Sequence, residues 1–121
     1  MVMIFSNKKV REYLLGDRKM VYTYRKNNPK TETGVRYRVG KDWATDRRGG
    51  KKIADIFITI MEPIDSQNMK RVLRRYARDS GFFDRITQTA IEDWAQAIQH
   101  LNPFAPRAGW IYKVEVLGAD S

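Results

Sequence analysis

At 121 residues the chain has room for one domain around one core, and no break in composition suggests a second. Its 23 lysines and arginines outnumber 14 acidic residues, and the resulting net charge of +9 favours polyanionic partners: RNA or another single-stranded nucleic acid, nucleotides, or an acidic protein. With no cysteine and one histidine there is no disulfide, thiol nucleophile, thiolate metal site or His-pair zinc site, so any catalysis falls to Lys, Thr, Ser, Tyr, Asp or Glu.

No apolar stretch approaches the roughly 20 residues of a membrane span, and residues 1–5 are too few for a signal-peptide core. The expectation is a cytoplasmic protein with no membrane partner. Ser6 can cap a short helix with Val10, Tyr13 and Leu14 on one stripe, and Gly16 suits the left-handed position that closes helices. Residues 20–25 then read as a strand, with Met20, Tyr22 and Tyr24 on one side and Lys19, Val21, Thr23 and Arg25 on the other, which is expected to be the polar one. Asn27, Asn28 and Pro29 break it. After Gly34, Val35, Tyr37 and Val39 alternate with Arg36 and Arg38, which predicts a strand with one buried and one basic face, ended by Gly40.

A loop carrying Trp43 is expected next. Its later part turns at Gly49 and Gly50, where positive φ is allowed and a ligand can approach the backbone closely. The most apolar run of the chain follows, a strand with Ala54, Ile56, Ile58 and Ile60 on its core face, stopped by Pro63. Asp65 or Ser66 opens the most strongly periodic helix, with Met69, Val72, Leu73, Tyr76 and Ala77 as its stripe and Gly81 at its end. Lys70, Arg71, Arg74, Arg75 and Arg78 fill the other faces, either as a solvated surface softened by Asp79 and Asp84 or as one that tracks phosphates. Phe82 and Phe83 lead to a second helix, capped by the Thr89 to Glu92 box, with Ile91, Trp94, Ala95, Ile98 and Leu101 buried and with Pro103 and Pro106 beyond its end. Residues 110–116 alternate as a strand that must pair with a distant one. The sum is an α+β fold, a small β-barrel with helices packed on it.

The glycines and lysine of residues 34–42 imitate a phosphate loop, but the spacing is one residue too long and Asp42 stands where a magnesium-binding Ser or Thr is required. The carboxylates Asp42, Asp46, Asp55, Glu62 and Asp65 are spread as salt-bridge partners, so no metal and no cofactor is expected, and His100 fits a helix-terminal role. Two clusters mix cations with aromatic residues: Arg18, Lys19, Tyr22, Thr23, Tyr24, Arg25 and Lys26, and then Lys41, Trp43, Arg47, Arg48, Lys51 and Lys52. Cations neutralise phosphate while aromatic faces stack bases, the chemistry of a single-stranded nucleic-acid surface. Tyr22, Tyr24 and Tyr37 are expected in the core, with Trp43 as the stacking residue. The expected cleft is lined by Arg25, Trp43, Arg47, Arg48 and Lys51, with Arg18, Lys41 and Lys52 adding charge.

The short helix, the Gly16-Asp17-Arg18-Lys19 turn, the Thr23-x-Arg25 strand, Ser80-Gly81-Phe82 leading to Glu92-Asp93-Trp94, and the strand at 110–116 together resemble the ASCH family of the PUA-like superfamily. The resemblance covers nearly the whole chain. It implies one PUA-like barrel over residues 1–121, whose cleft between barrel and helices binds RNA or modified nucleobases. Some members look like ribonucleases or amidohydrolases acting on acylated cytidine, for which the resemblance implies Lys19, Thr23 and Asp79 as the catalytic set. The lysine stands one residue further from Arg25 than in the family pattern, so either the strand bulges or Met20 takes the lysine's place.

Overall fold

The computed structural model describes residues 2–28, 30–65, 67–81, 92, 94–96, 98 and 109–117. Five strands are present: β1 (Val2–Ile4), β2 (Met20–Lys26), β3 (Gly40–Thr45), β4 (Ala54–Ile64) and β5 (Gly109–Val116). Helix α1 (Lys8–Leu14) lies between β1 and β2, and α2 (Met69–Tyr76) follows β4 and tightens into a single 3₁₀ turn at Ala77–Asp79. The strands form one mixed sheet in the order β1-β3-β4-β5-β2, antiparallel except for the parallel β1–β3 pair. It curls into a half-barrel whose two edge strands, β1 and β2, are not paired with each other.

Register explains the core. Met3 lies opposite Ala44, and Ala44 opposite Ala54; Ile58 lies opposite Val114, and Val114 opposite Val21. Met3, Ala44, Ile56, Ile58, Val114 and Val21 have no solvent exposure, so one face of the curled sheet is a continuous apolar surface, as the alternation in β4 predicts. Ala54 and Ile60 complete that face at its margin, partly buried. From the helices come Val10, Leu14, Met69, Val72, Leu73 and Ala77, all buried at the predicted stripe positions.

Several elements differ from expectation. The side of β2 expected to be polar turns inward, with Val21 and Thr23 buried, because Val21 pairs with Val114 and joins the core face. Asn7, not Ser6, caps α1, its Oδ1 accepting from the backbone N–H groups of Lys9 (3.0 Å) and Val10 (3.3 Å). The left-handed residue after α1 is Lys19 (φ 52°) rather than Gly16. Gly16 is needed for space, because a Cβ there would stand 3.3 Å from the carbonyl oxygens of Glu12 and Tyr13.

Residues 35–39 form no strand. Tyr37 is buried but Val39 is 57% exposed, so the alternation has no matching buried face. The Tyr37 ring packs edge-on against Tyr112 at 5.5 Å, and the N–H groups of Arg36 and Tyr37 donate to the Tyr112 hydroxyl at 3.0 and 3.4 Å in place of a ladder. The strand comes later as β3, and Trp43, expected in a loop, lies within it between Val2 and Asp55. Pro63 does not stop β4 but sits inside it. The β3 pairing ends at Ile58, so beyond that point β4 has a strand neighbour on one side only, and a bulge separates Ile60 from Glu62.

Helix α2 starts at Met69 with Asn68 at its N-cap, later than the expected opening at Asp65 or Ser66. Asp65 instead makes the turn before it, its Oδ1 accepting from the N–H groups of Gln67 (2.8 Å) and Asn68 (3.0 Å) while Asn68 Oδ1 accepts from the Asp65 N–H (2.7 Å). Gly81 is left-handed (φ 87°), and a Cβ on it would stand 2.8 Å from Val10 Cα, so α1 and the end of the α2 segment touch through backbone. The expectations for Phe82, Phe83, Asp84, Thr89, Ile91, His100, Leu101, Pro103 and Pro106 lie outside the described residues. In that stretch Trp94 and Ile98 are buried at their predicted positions.

Two tyrosine–carboxylate clamps fasten the helices. Tyr13 of α1 donates to Asp79 Oδ1 at 2.5 Å, with Arg18 at 3.5 Å from the same oxygen. Tyr76 of α2 donates to Glu62 Oε2 of β4 at 2.5 Å, and Arg75 holds the same carboxylate at 3.1 Å. Burial, then the hydrogen bond and the negative charge it faces, raise both hydroxyls from 10.0 to about 12. Because the folded-state value is the higher one, this stabilisation is intact below pH 10 and lost as pH rises to about 12. The difference in tyrosinate absorbance between wild type and Tyr13→Phe, and between wild type and Tyr76→Phe, should therefore show a hydroxyl ionising late, with the urea midpoint falling over that window and falling less in each variant. A difference centred on the ordinary value in the folded protein would refute that clamp.

Candidate functional site

Where the half-barrel fails to close, a cavity of about 490 Å3 opens between its edge strands. One wall is Ile4 of β1 and the residues that carry the chain into α1, Phe5, Ser6 and Asn7; the opposite wall is Thr23 to Lys26 of β2. Arg36 and Tyr37, Arg48, and the buried Trp94 and Ile98 complete the lining.

Local chemistry brings these groups together. The Phe5 N–H donates to the Thr45 carbonyl at 2.8 Å, which holds the chain beside β3 one residue past β1. Gly34 (φ 80°) lets the 27–34 loop close on itself, with the Asn28 N–H donating to the Gly34 carbonyl at 2.9 Å, and so returns Arg36 and Tyr37 to the sheet. Thr45 Oγ1 donates to the Lys51 carbonyl at 2.9 Å, and the Gly50 N–H donates to the Arg47 carbonyl at 2.9 Å; this tight turn at Gly49 and Gly50 presents Arg48. Gly109 lies opposite Lys26, where a Cβ would collide with the Arg25 carbonyl and the Tyr24 ring.

Arg25 dominates the electrostatics. Its guanidinium carbon stands 4.9 Å from the centroid of Phe5 and 5.9 Å from that of Tyr37. The residue as a whole is half-buried, but its Nε is sealed from solvent and has no hydrogen-bond partner. Burial draws its pKa down, opposed in part by the Tyr37 and Tyr112 hydroxyls. Arg36 donates from Nε to the Lys26 carbonyl and from Nη2 to the Asn27 carbonyl, both at 3.3 Å, which orients its charge without neutralising it.

Elsewhere cations meet carboxylates: Lys8 with Glu12, Arg18 with Asp79, Arg47 with Asp46, Lys52 with Asp55, Arg75 with Glu62, Lys113 with Glu115. Others spread over the surface, such as Lys41, Arg71 and Arg74, have no such partner among the described residues. Among the described residues none of Arg25, Lys26, Arg36 and Arg48 has such a partner, and no acidic residue lines the cavity. The site is a cationic, partly aromatic hollow.

Of the residues expected in a binding cleft, Arg25 and Arg48 share the cavity. Trp43, Arg47 and Lys51 do not line it: Trp43 is 36% exposed in β3, Arg47 pairs with Asp46, and Lys51 is an exposed residue whose carbonyl anchors the turn. Lys41 is exposed in β3 opposite Phe57, Lys52 is held by Asp55 at 3.0 Å, and Arg18 is held by Asp79. Of Lys19, Thr23 and Asp79, only Thr23, 8% exposed, lines the cavity. Asp79 is engaged by Tyr13 and Arg18, and exposed Lys19 precedes β2. The β2–β5 register runs unbroken from Met20 to Lys26, so there is no bulge and Met20 occupies the ladder position.

Sequence reasoning missed Phe5, Arg36 and Tyr37 as site residues. The available signal was the apolar run at residues 2–5, long enough for a short edge strand that delivers Phe5 to the seam. Among the described residues no three His, Asp or Glu side chains gather as a metal site, and no helix is long and apolar enough to cross a membrane. No family model, curated protein or solved structure matches the chain.

Desolvating one ion costs several kcal/mol, whereas a buried cation–π contact returns about 2 and Tyr37 stands near the limit of its range. Arg25→Met should therefore unfold in urea with a free energy equal to wild type or higher by about 1 kcal/mol. A loss of more than about 1 kcal/mol would mean that ring contacts outweigh desolvation.

Proposed function

We propose that the protein binds single-stranded nucleic acid, RNA in particular, in the cavity between β1 and β2, as a module of the ASCH kind within the PUA-like superfamily. The observation that carries this reading is the gathering of Arg25, Lys26, Arg36 and Arg48 around one hollow without a carboxylate among its described lining residues. Uncompensated charge of this kind repels itself, and phosphate is the ligand that relieves it. A curled mixed sheet with short helices is compatible with the PUA-like placement, and the sequence motifs support the family.

A second reading, a small ribonuclease or an amidohydrolase on acylated cytidine, is favoured by one observation: the Thr23 hydroxyl belongs to the same cavity. It is the weaker reading because hydrolysis needs a base and an acid within hydrogen-bond reach of that hydroxyl, and Lys19 and Asp79 are not among the lining residues.

Binding of short RNAs should weaken with salt, with a slope of log K against log salt between about −1.4 and −2.8 for two to four phosphates engaged. Arg25→Ala combined with Arg48→Ala should reduce affinity by about 2 kcal/mol or more, and Thr23→Val should leave it within a few-fold. A flat salt dependence, or an equal loss from Arg71→Ala with Arg74→Ala on α2, would remove the cavity from consideration. Turnover of RNA or acylated nucleosides that disappears in Thr23→Val while binding persists would establish the hydrolase instead.

A further inference from the structure

The hollow has room for a single ligand, so of the phosphates that a strand engages only one can lie among all its cations. An internal phosphodiester brings one negative charge, whereas a phosphomonoester carries about −1.5 to −2 at neutral pH and three acceptor oxygens. Four cations line the hollow, and among the described residues none has a carboxylate partner. Taking the cavity as the nucleic-acid site proposed above, we infer that it recognises a phosphomonoester on ribose, carried either by a free nucleoside monophosphate or by the phosphorylated end of an RNA strand, with little discrimination among bases.

Three further observations support this. The volume, about 490 Å3, falls within the range of single-ligand pockets. Arg25 lines the cavity while its Nε is sealed from solvent, so it meets a ligand with the part of the guanidinium that faces the hollow, already stripped of much of its water. Arg36 is already oriented by two backbone carbonyls, so little ordering remains when a dianion arrives, while Lys26 and Arg48 are exposed and can move onto it. The weak base preference follows from the rings: Phe5, Tyr37 and Trp94 are 2%, 8% and 3% exposed, and the first two already pack on the Arg25 guanidinium. They offer the base little free face to stack on.

The test is competition binding to the full chain, using one oligouridylate with a 5′-phosphate, a 3′-phosphate or hydroxyls at both ends, alongside UMP, AMP, uridine and the methyl ester of UMP. A phosphorylated end should bind about tenfold or more tightly than the hydroxyl-ended strand. UMP and AMP should compete within a few-fold of each other, and uridine and the methyl ester about tenfold or more weakly. Arg25→Met and Arg48→Ala, each verified as folded by circular dichroism, should erase the preference for phosphorylated ends, whereas Arg71→Ala with Arg74→Ala should leave the ratio intact. Tight binding of mononucleotides without binding of any strand would uphold the monoester site and overturn the RNA reading. Equal, salt-sensitive binding of phosphorylated and hydroxyl-ended strands would overturn the monoester inference and leave the RNA reading standing. Absence of binding to every probe would overturn both.

Discussion

A curled sheet of five strands must do something with its two edges. Here β1 is three residues long and pairs in parallel with β3, and the chain turns into α1 almost at once, so β1 cannot extend to meet β2. Unpaired edges are a hazard that proteins cover with helices, loops or charge. This chain uses all three: the start of α1, the returning loop at Arg36 and Tyr37, and the cations of the seam. The candidate site exists because the barrel is unfinished, and its basic character is part of how the gap is guarded.

Arg25 lies at the centre of that arrangement and works against the stability of the protein. Its neighbours across the ladder are Trp110 and, one pair along, Tyr24 with Ile111, so β2 carries a cation into surroundings fit for an apolar side chain. Phe5 and Tyr37 soften the loss of water with their rings and the Tyr37 hydroxyl adds a hydrogen bond, but Nε is left without an acceptor. A cation set among rings with one donor sealed and unpaired is not accounted for by stability, since an apolar residue would fold there at less cost. The carboxylates are distributed accordingly. Asp46, Asp55, Glu62 and Asp79 each neutralise a cation near them, and none of them lines the seam.

What could be read in advance depended on whether a pattern was local. The stripe of α2, the core face of β4 and the burial of Trp94 and Ile98 follow from periodicity, and the structure has them. The tract at 35–39 misled because alternation records which side chains want burial and not what the backbone bonds to; the Tyr112 hydroxyl, far along the chain, took the N–H groups a strand would have used. Trp43 was misplaced for the converse reason. Gly40, Lys41 and Asp42 have poor strand propensity, and β3 forms because neighbours on both sides, β1 and β4, supply the ladder. Arg25 and Arg48 were legible as cations near aromatics, whereas the cavity that joins them was not, because it is built from segments whose proximity only the sheet order decides.

That sheet order also sets when the site can come into being. Among the described residues the strand beside β2 is β5, so the ladder that positions Thr23 and Arg25 joins distant parts of the sequence. The opposite wall depends on a separate non-local event, the parallel docking of β1 onto β3. Both closures carry loop entropy before they yield contacts, so an interval passes before the seam is complete. During that interval the arginines of the seam are scattered along an open chain, and the concentrated positive field that would capture a polyanion has not yet formed. The cationic hollow thus comes into being only as the topology is completed, although the charges that make it are present in the chain from the start.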